Sequence, residues 1–266
     1  MVKKFIWVFL FFMFFISSVS GATYYISPDG LDSNPGTFSQ PWATFVHAIG
    51  SIVGGDTLIL KDGVYEQRIG QYVSGAPYNS YSLPSGSDGA YTILKAENDG
   101  MAIIQNGGIW LGGAVNGGVP VGSSYIQIEG LKLRGSNINI RGSYHIKVLR
   151  TGVKNGVAPD SRYGSVISIS GDSHHVLLED VWVIGSMRYG INVFESYNVI
   201  LRRVVARFDG NTEREPKSGF CFYGADDSQG ITGAYDSMCQ NCIAIDYNKG
   251  ADAGIKSDHA GININI

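Results

Sequence analysis

One pattern returns along this 266-residue chain from residue 124 onward. The segments YIQIEGLKL (125–133), HIKVLRTGV (145–153), HVLLEDVWV (175–183) and NVILRRVVA (198–206) align with one another, and MCQNCIAI (238–245) is a weaker fifth copy. The first four copies start 20, 30 and 23 residues apart. Each is a pair of short strands in which apolar and polar residues alternate, so one set points inward and the other to solvent. Second alternating strands fall between the copies at 136–141, 165–170, 190–194 and 219–223. A basic coil of about 20–25 residues with insertions is the signature of a β-solenoid. Helical periodicity is absent after residue 56, which argues against an α/β chain. A β-sandwich of short strands is the alternative fold.

Composition agrees with many short strands turning at glycines. Gly contributes 36 residues, and charged residues are 16% of the chain against about 25% in an average domain. The net charge of −3 supplies no basic field for nucleic acid, and no Lys/Arg cluster interleaved with aromatics is visible. Residues 1–22 read as a secretory signal: Lys3 and Lys4, an apolar run from Phe5 to Ile16, and the small-residue exit Ser20-Gly21-Ala22. The run is shorter than the roughly 20 residues a membrane span needs. The expectation is an exported protein, secreted or at the cell surface, without a membrane anchor after cleavage.

The β domain then runs from 23 to 266, opening with a cap at 23–67 and continuing as coils over 91–266. The cap reads as a strand at 24–27, a turn-rich loop at 28–40, an amphipathic helix from 41 to about 52, a strand at 57–61 and the turn Asp62-Gly63. Pro41 suits a first helical position, where its missing N–H is no loss, and Gly54-Gly55 suits a helix exit. Trp42, Phe45, Val46 and Ile49 are expected on one helical face, covering the apolar end of the first coil. Tyr24-Tyr25-Ile26-Ser27, Gly36-Thr37, Pro41-Trp42-Ala43-Thr44, Ala48-Ile49, Gly55-Asp56-Thr57 and Gly63-Val64-Tyr65 together resemble the N-terminal cap of secreted parallel β-helix proteins of the pectate-lyase-like superfamily. The resemblance implies an all-β, right-handed, single-stranded parallel β-helix with a short capping helix. Fold alone does not fix activity.

Two inserts, 71–89 and 211–218, are polar and rich in Pro, Gly and Ser. Loops on a rigid scaffold commonly carry binding surfaces. Tyr72 and Tyr78 are candidates for stacking on sugar rings, with packing on the coil below as the plainer reading. The last segment, AGININI (260–266), alternates to its end with no closing cap, so further coils or a covering partner are expected beyond it.

The resemblance also implies chemistry on acidic polysaccharides. Lyases of this superfamily neutralise a uronate with a cation, often calcium, and remove the proton α to it with a Lys or Arg. Calcium takes six to eight oxygens, several from carboxylates. The stretch from Lys217 is similar to the calcium-site coils of family nine pectate lyases: Ser218-Gly219-Phe220, Asn241 to Asn248, and Asp252-Ala253-Gly254-Ile255-Lys256. Ser218, Ala253 and Lys256 stand where that family has carboxylates, and Asp252 is the one retained. Asp226 and Asp227, with Asp236 and Asp246, are further candidates for calcium or for a paired-carboxylate site, against solvated turn residues as the plain alternative. Lys256 and Arg203 are the candidates for the abstracting base. Arg202, Arg207 and Lys217, with Arg150 and Arg188, are candidates for a basic stripe for a uronate chain, with a stack of unrelated surface charges as the plainer reading. Strand alternation puts Arg202 and Arg203 on opposite sides, and likewise His174 and His175.

Cys221, Cys239 and Cys242 are an odd set for an exported chain. They are expected as small interior side chains, with a Cys221–Cys242 disulfide as one arrangement and a Cys239/Cys242 redox or zinc pair as another. The functional expectation is a polysaccharide-binding or polysaccharide-processing protein, lyase-like on an acidic glycan. The alternatives are a non-catalytic carbohydrate-binding or cell-surface β-helix, and a piece of a larger lyase or glycoside hydrolase.

Overall fold

The computed structural model describes residues 21–70, 82–112, 114–116, 119–154, 164–185, 189–208, 218–223, 236–245 and 260–265. The alternating segments become the rungs of three all-parallel sheets, and successive strands pass from sheet to sheet around a coil. Face 1 stacks Thr23–Ile26, Thr57–Leu60, Thr92–Ala96, Ser124–Glu129, Tyr144–Leu149, His174–Glu179, Tyr197–Arg202 and Met238–Gln240. Face 2 stacks Gly63–Tyr65, Ala102–Gln105, Lys132–Arg134, Gly152–Lys154, Trp182–Gly185, Val205–Phe208 and Ile243–Ile245. Face 3 stacks Ile109–Leu111, Ile138–Arg141, Ser165–Ser170, Tyr189–Phe194, Ser218–Tyr223 and Ala260–Asn265. This is a parallel β-helix, with one antiparallel hairpin, Ala114–Asn116 with Val119–Val121, inserted beside it.

Alternation fills the interior as the sequence requires. Ile126, Ile128, Ile146, Val148, Leu178 and Leu201 from face 1 meet Leu133, Val153 and Val183 from face 2, all fully buried. Ile138, Ile140, Ile167, Ile169 and Ile191 close the coil from face 3. At about 25 cal/mol per Å² of apolar surface, this continuous column is the main stabilising term. Where face 3 turns into face 1, the buried serines Ser123, Ser143, Ser173 and Ser196 recur at the same place in each coil. The backbone N–H of Ser123 donates to Ser143 Oγ at 3.1 Å, and that of Ser143 to Ser173 Oγ at 3.2 Å. Ser173 Oγ donates in turn to the Ser170 carbonyl at 2.7 Å. The serines thus satisfy turn amides that no sheet ladder reaches.

The cap differs from its sequence reading at the helix start. Helix α1 covers Phe45–Ser51, with Thr44 as N-cap accepting from the His47 N–H at 3.2 Å. Pro41 and Trp42 are not helical, because Trp42 pairs in parallel with Ile26 and bonds Tyr25 and Ser27 through its backbone. Asp32 holds the following turn by accepting from the Ala43 and Thr44 N–H groups and the Thr44 hydroxyl. Phe45, Ala48 and Ile49 are the buried face of α1, whereas Val46 is 56% exposed. A start at Phe45 puts Val46 one step, about 100°, off that face. Trp42 still seals the end, its ring stacked on Tyr24 with centroids 4.8 Å apart.

Strict alternation also fails at two recurrent places. The second residue of four face 1 strands, Tyr125, His145, His175 and Asn198, has a left-handed backbone with φ of 51–54°. Arg150, Asp180, Arg203 and Asn241, which turn the chain from face 1 to face 2, are left-handed as well, with φ of 45–54°. Such a residue interrupts the extended backbone, and side chains next to each other in sequence then share one side. Arg202 and Arg203 consequently reach the same carboxylate, and the His174 and His175 rings touch. Both findings correct the opposite-side expectation.

Candidate functional site

Three outward surfaces carry the polar chemistry of the described residues. The first is the corner between faces 1 and 2, where Arg150 and Arg202, two candidates for the basic stripe, lie with Arg203 against acids. Arg150 pairs with Asp99 at 2.6 Å and with Glu129. Arg203 pairs through its Nε with Asp180 at 2.7 Å and through its Nη2 with Glu179. Arg202 lies 3.7 Å from Glu179, and its Nε donates to Gln240 Oε1 at 3.0 Å. Hydrogen bonds from Asp180 and then Glu179 hold Arg203 more firmly protonated than an ordinary guanidinium, and Arg203 lowers the Asp180 carboxyl in return. Arg150 is held protonated in the same way, first by Asp99 and then by Glu129. A proton-abstracting base requires the reverse shift, a lowered pKa. This setting works against proton uptake by Arg203.

The second surface is the outside of face 2. Sheet register sets Arg134 against Lys154, Lys154 against Ile184, and Ile184 against Arg207, one column running along the coil axis. With strands about 4.8 Å apart, Arg134 to Arg207 spans roughly 14 Å. The neighbouring column holds Lys132, Gly152, Trp182 and Val205 in register. Lys132, Arg134 and Lys154 form no ion pair among the described residues. Glu66, the acidic residue at the far end of the face, accepts instead from the Gln105 amide at 3.0 Å. The indole of Trp182 lies directly over Gly152: a Cβ there would fall 2.1 Å from its ring. Only glycine allows the ring to lie so low against the backbone. A half-buried aromatic plane thus sits among cations.

The third surface is the corner between faces 3 and 1, where rings from consecutive coils stack. Tyr144, His174 and Tyr197 form one column, with centroids 5.0 and 4.8 Å apart and planes inclined by 14° and 19°. Tyr125, His145 and His175 form a second, at 4.5 and 4.7 Å. Tyr91 meets Tyr125 edge-on and carries Lys147 Nζ 4.2 Å above its ring. In each column the ring faces are turned toward one another, so the strip presents ring edges. His174 Nδ1 and His175 Nδ1 are 2.8 Å apart. Loss of solvent, then His175 and His145, hold His174 below the ordinary imidazole range, while Asp172 pulls it upward. His145 is lowered by burial and by His175, with Asp88 opposing.

The cysteines are thiols, and no disulfide joins them. Cys239 follows Leu201 in register, on the inward row of face 1. Cys242 is half-buried and donates to the Leu201 carbonyl at 3.3 Å. Burial, then the neighbouring Cys242, pushes the Cys239 thiol well above its ordinary value, the reverse of a reactive thiolate. Cys221 is buried but follows Asn192 on the outward row of face 3, not in the interior as expected.

Among the described residues no group of three or more His, Cys, Asp or Glu is arranged to hold a metal. Of the calcium positions that the resemblance implies, Ser218 is described. It is fully buried at a strand start, and its Oγ has no hydrogen-bond partner. A neutral hydroxyl does not replace the charge of a carboxylate, and the sequence retains only Asp252 of that set, so these positions do not fit a calcium cage. Asp252, Asp226, Asp227, Lys256, Lys217, Arg188, Tyr72 and Tyr78 lie outside the described residues, as do residues 1–20 of the signal expected at 1–22. Arg207 is exposed on face 2, one coil face away from the corner that holds Arg202 and Arg203.

No family model matches the chain. A stretch of 56 residues is 36% identical to the uncharacterized protein YwoF of Bacillus subtilis (strain 168), covering 21% of this chain and 12% of that protein. Among solved structures, a rhamnogalacturonan lyase superposes with a TM-score of 0.53 at 18% identity, over 86% of this chain and 52% of the other. The pectate lyase Pel9A gives a TM-score of 0.50 at 16% identity, over 76% of this chain and 59% of the other. The fold shared with these two structures is the parallel β-helix. At these identities the likeness concerns fold. This β-helix spans 52% and 59% of the lengths of those two structures.

Sequence reasoning missed the two most distinctive surfaces of the β-helix. The ring strip was signalled by Tyr125, His145 and His175 standing first in successive repeats. The cationic face had a weaker signal, since Arg134, Lys154 and Arg207 align only once the coil closures between repeats are known.

Proposed function

We propose that the chain is an exported polysaccharide-processing β-helix that takes an acidic glycan along face 2. The observation that carries this reading is the column of Arg134, Lys154 and Arg207 beside Lys132 and the Trp182 plane. Carboxylates spaced along a sugar chain are met by cations spaced along the coil, and an indole plane offers apolar contact to a sugar ring. Whole-chain charge of −3 makes this concentration of positive charge a local device, not a general basicity.

Processing by β-elimination follows by analogy with the lyase names of the two structural neighbours. In that chemistry the C–H bond α to the uronate carboxyl breaks toward a base, and the electron pair expels the glycosidic oxygen at the next carbon. Lys256 is the proposed base, Asp226 and Asp227 the proposed cation ligands, and Arg202, Lys217, Tyr72 and Tyr78 further glycan contacts. No step is assigned to calcium itself. A second reading, a binding module without turnover, is favoured by the single retained carboxylate Asp252.

The test titrates the mature chain with polygalacturonate by calorimetry, with and without calcium, while absorbance follows unsaturated uronate products. Arg134→Ala with Lys154→Ala is expected to weaken binding about tenfold, removing two charge-assisted contacts. The salt dependence should flatten with it. Unchanged binding in that variant would overturn the assignment of face 2, and binding without product would establish the module reading.

A further inference from the structure

The corner between faces 1 and 2 repeats one interior arrangement from coil to coil. An inward residue of face 1, an outward residue, a left-handed residue and a second inward residue follow one another. Leu178 and Val181 flank Asp180 in this way, and Leu201 and Val204 flank Arg203, with all four apolar side chains fully buried. In the next coil the same two places hold Cys239 and Cys242, and Asn241 between them is left-handed with a φ of 53°. Both thiols pack against the core and are only half-buried, so a small reagent can reach them. We propose that Cys239 and Cys242 are a thiol–disulfide exchange site, closed by a low-molecular-weight disulfide such as oxidised glutathione into a covalent clasp across this corner. An oxidising compartment supplies that class of oxidant, and the clasp is independent of any glycan.

The backbone brings the two sulfurs together. Four residues in extended conformation hold their first and last Cα atoms about 10 Å apart, beyond the roughly 7 Å that a disulfide spans. The bend at Asn241 shortens that path, and the two thiols are hydrogen-bonded to each other. Cys242 Sγ also lies 3.3 Å from the carbonyl of Leu201, the register partner of Cys239. Both ends of the corner are anchored, since Cys239 follows Leu201 in the face 1 ladder and Ile243 follows Val205 in the face 2 ladder. Between them the Gln240 carbonyl accepts from the Arg203 N–H at 2.8 Å. Cys221 stands on the outward row of face 3, so the wall of the coil separates it from the pair. Two cysteines also fill less of the interior than Leu201 and Val204 before them, and a bond between them restrains the chain where packing contributes less.

The exchange has two steps. Burial holds Cys239 protonated, so Cys242 attacks first. Its thiolate breaks the S–S bond of the small disulfide, bonds to one sulfur and releases the other as a thiol. Cys239 then gives up its proton and displaces the second small thiol, and the Sγ–Sγ bond forms. Two protein thiols are oxidised, one small disulfide is reduced, and both protons leave on the released thiols.

The experiment equilibrates the full mature chain with an excess of oxidised over reduced glutathione, once folded and once in concentrated urea. Remaining thiols are blocked by unfolding in N-ethylmaleimide, and the chain is cleaved on the amino side of aspartate. Asp236 and Asp246 delimit a peptide, 236–245, that contains Cys239 and Cys242 without Cys221. Expected from the folded chain is that peptide lighter by two hydrogens and free of maleimide, with Cys221 labelled. The equilibrium constant for closure is expected to be at least about tenfold larger for the folded chain than in urea, because the fold presents the two thiols to each other. The oxidised chain should then melt higher than the reduced one, a difference that Cys242→Ser abolishes and Cys221→Ser keeps. Maleimide on both cysteines of the peptide, glutathione retained there without closure, a bond to Cys221, or closure no more favourable folded than in urea overturns the proposal.

Discussion

The two corners flanking face 1 use the same backbone device and fill it with opposite chemistry. Each has a left-handed residue in coil after coil: Arg150, Asp180 and Arg203 at one corner, Tyr125, His145 and His175 at the other. Such a residue costs about 1–2 kcal/mol when it is not glycine, so each column must return something. At the first corner the columns alternate in sign, and Arg150 and Arg203 are satisfied by acids from adjoining coils. At the second the residues are neutral and planar, and they stack. Parallel coiling sets equivalent positions roughly 4.8 Å apart. At that distance like charges repel, so a repeated column either alternates its charge or carries none. Lys132, Arg134 and Lys154 on face 2, which form no ion pair among the described residues, depart from this rule, and the proposed glycan contact rests on them.

The sharpest way to break the ring corner is beneath it. Ser143→Val removes a buried hydroxyl that accepts from the Ser123 amide and donates to neighbouring carbonyls. An unpaired buried amide costs about 1–3 kcal/mol, and chemical denaturation should show a loss of that size without a change of slope. Next in size, Asp180→Arg would line up three arginines at the other corner. Melting should fall by several degrees in low salt, and added salt should restore part of the loss, since these groups are exposed and screened. Tyr197→Leu at the ring corner removes one stacked plane and is expected to cost about 0.5–1 kcal/mol, with little response to salt.

The smallest effect separates the corners by pH. His145 and His174 bind protons less readily folded than unfolded, so the unfolded chain takes up more protons as pH falls below about 6.5. Stability is therefore lost below that point and is complete above it. A slightly lower melting temperature at about pH 5.5 than at about pH 7.5 should appear in the wild type and shrink in His145→Gln. At the charged corner Asp180, lowered by its hydrogen bond from Arg203, stays ionised across this window and contributes nothing to the change.

Much of this architecture was legible in the residues. Alternation in YIQIE and HVLLE assigns the buried rows, and the glycine-punctuated repeats require a coil. The helix start was misread because Pro41 is as much at home before an extended Trp42 as at a first helical turn, and only the pairing of Trp42 with Ile26 decides between them. Sidedness of Arg202 and Arg203 was misread because alternation assumes an extended backbone, and nothing in the residue type Arg announces a φ of 52°. The Trp182–Gly152 contact joins residues 30 positions apart, across a closure whose length varies from coil to coil. Such contacts follow from register, which short strands specify only collectively.

The alternating corner also bears on how the chain avoids folding wrongly. Interiors built from Ile, Val and Leu are nearly interchangeable, so an apolar coil gains little by choosing its proper neighbour over the next one along. Skipping one coil would bring Arg150 onto Arg203 and Glu129 onto Glu179. The row of ion pairs is weak as a clamp, but it acts as a lock-and-key code for coil order, penalising slippage and swapped copies at the moment when the rungs are being laid down.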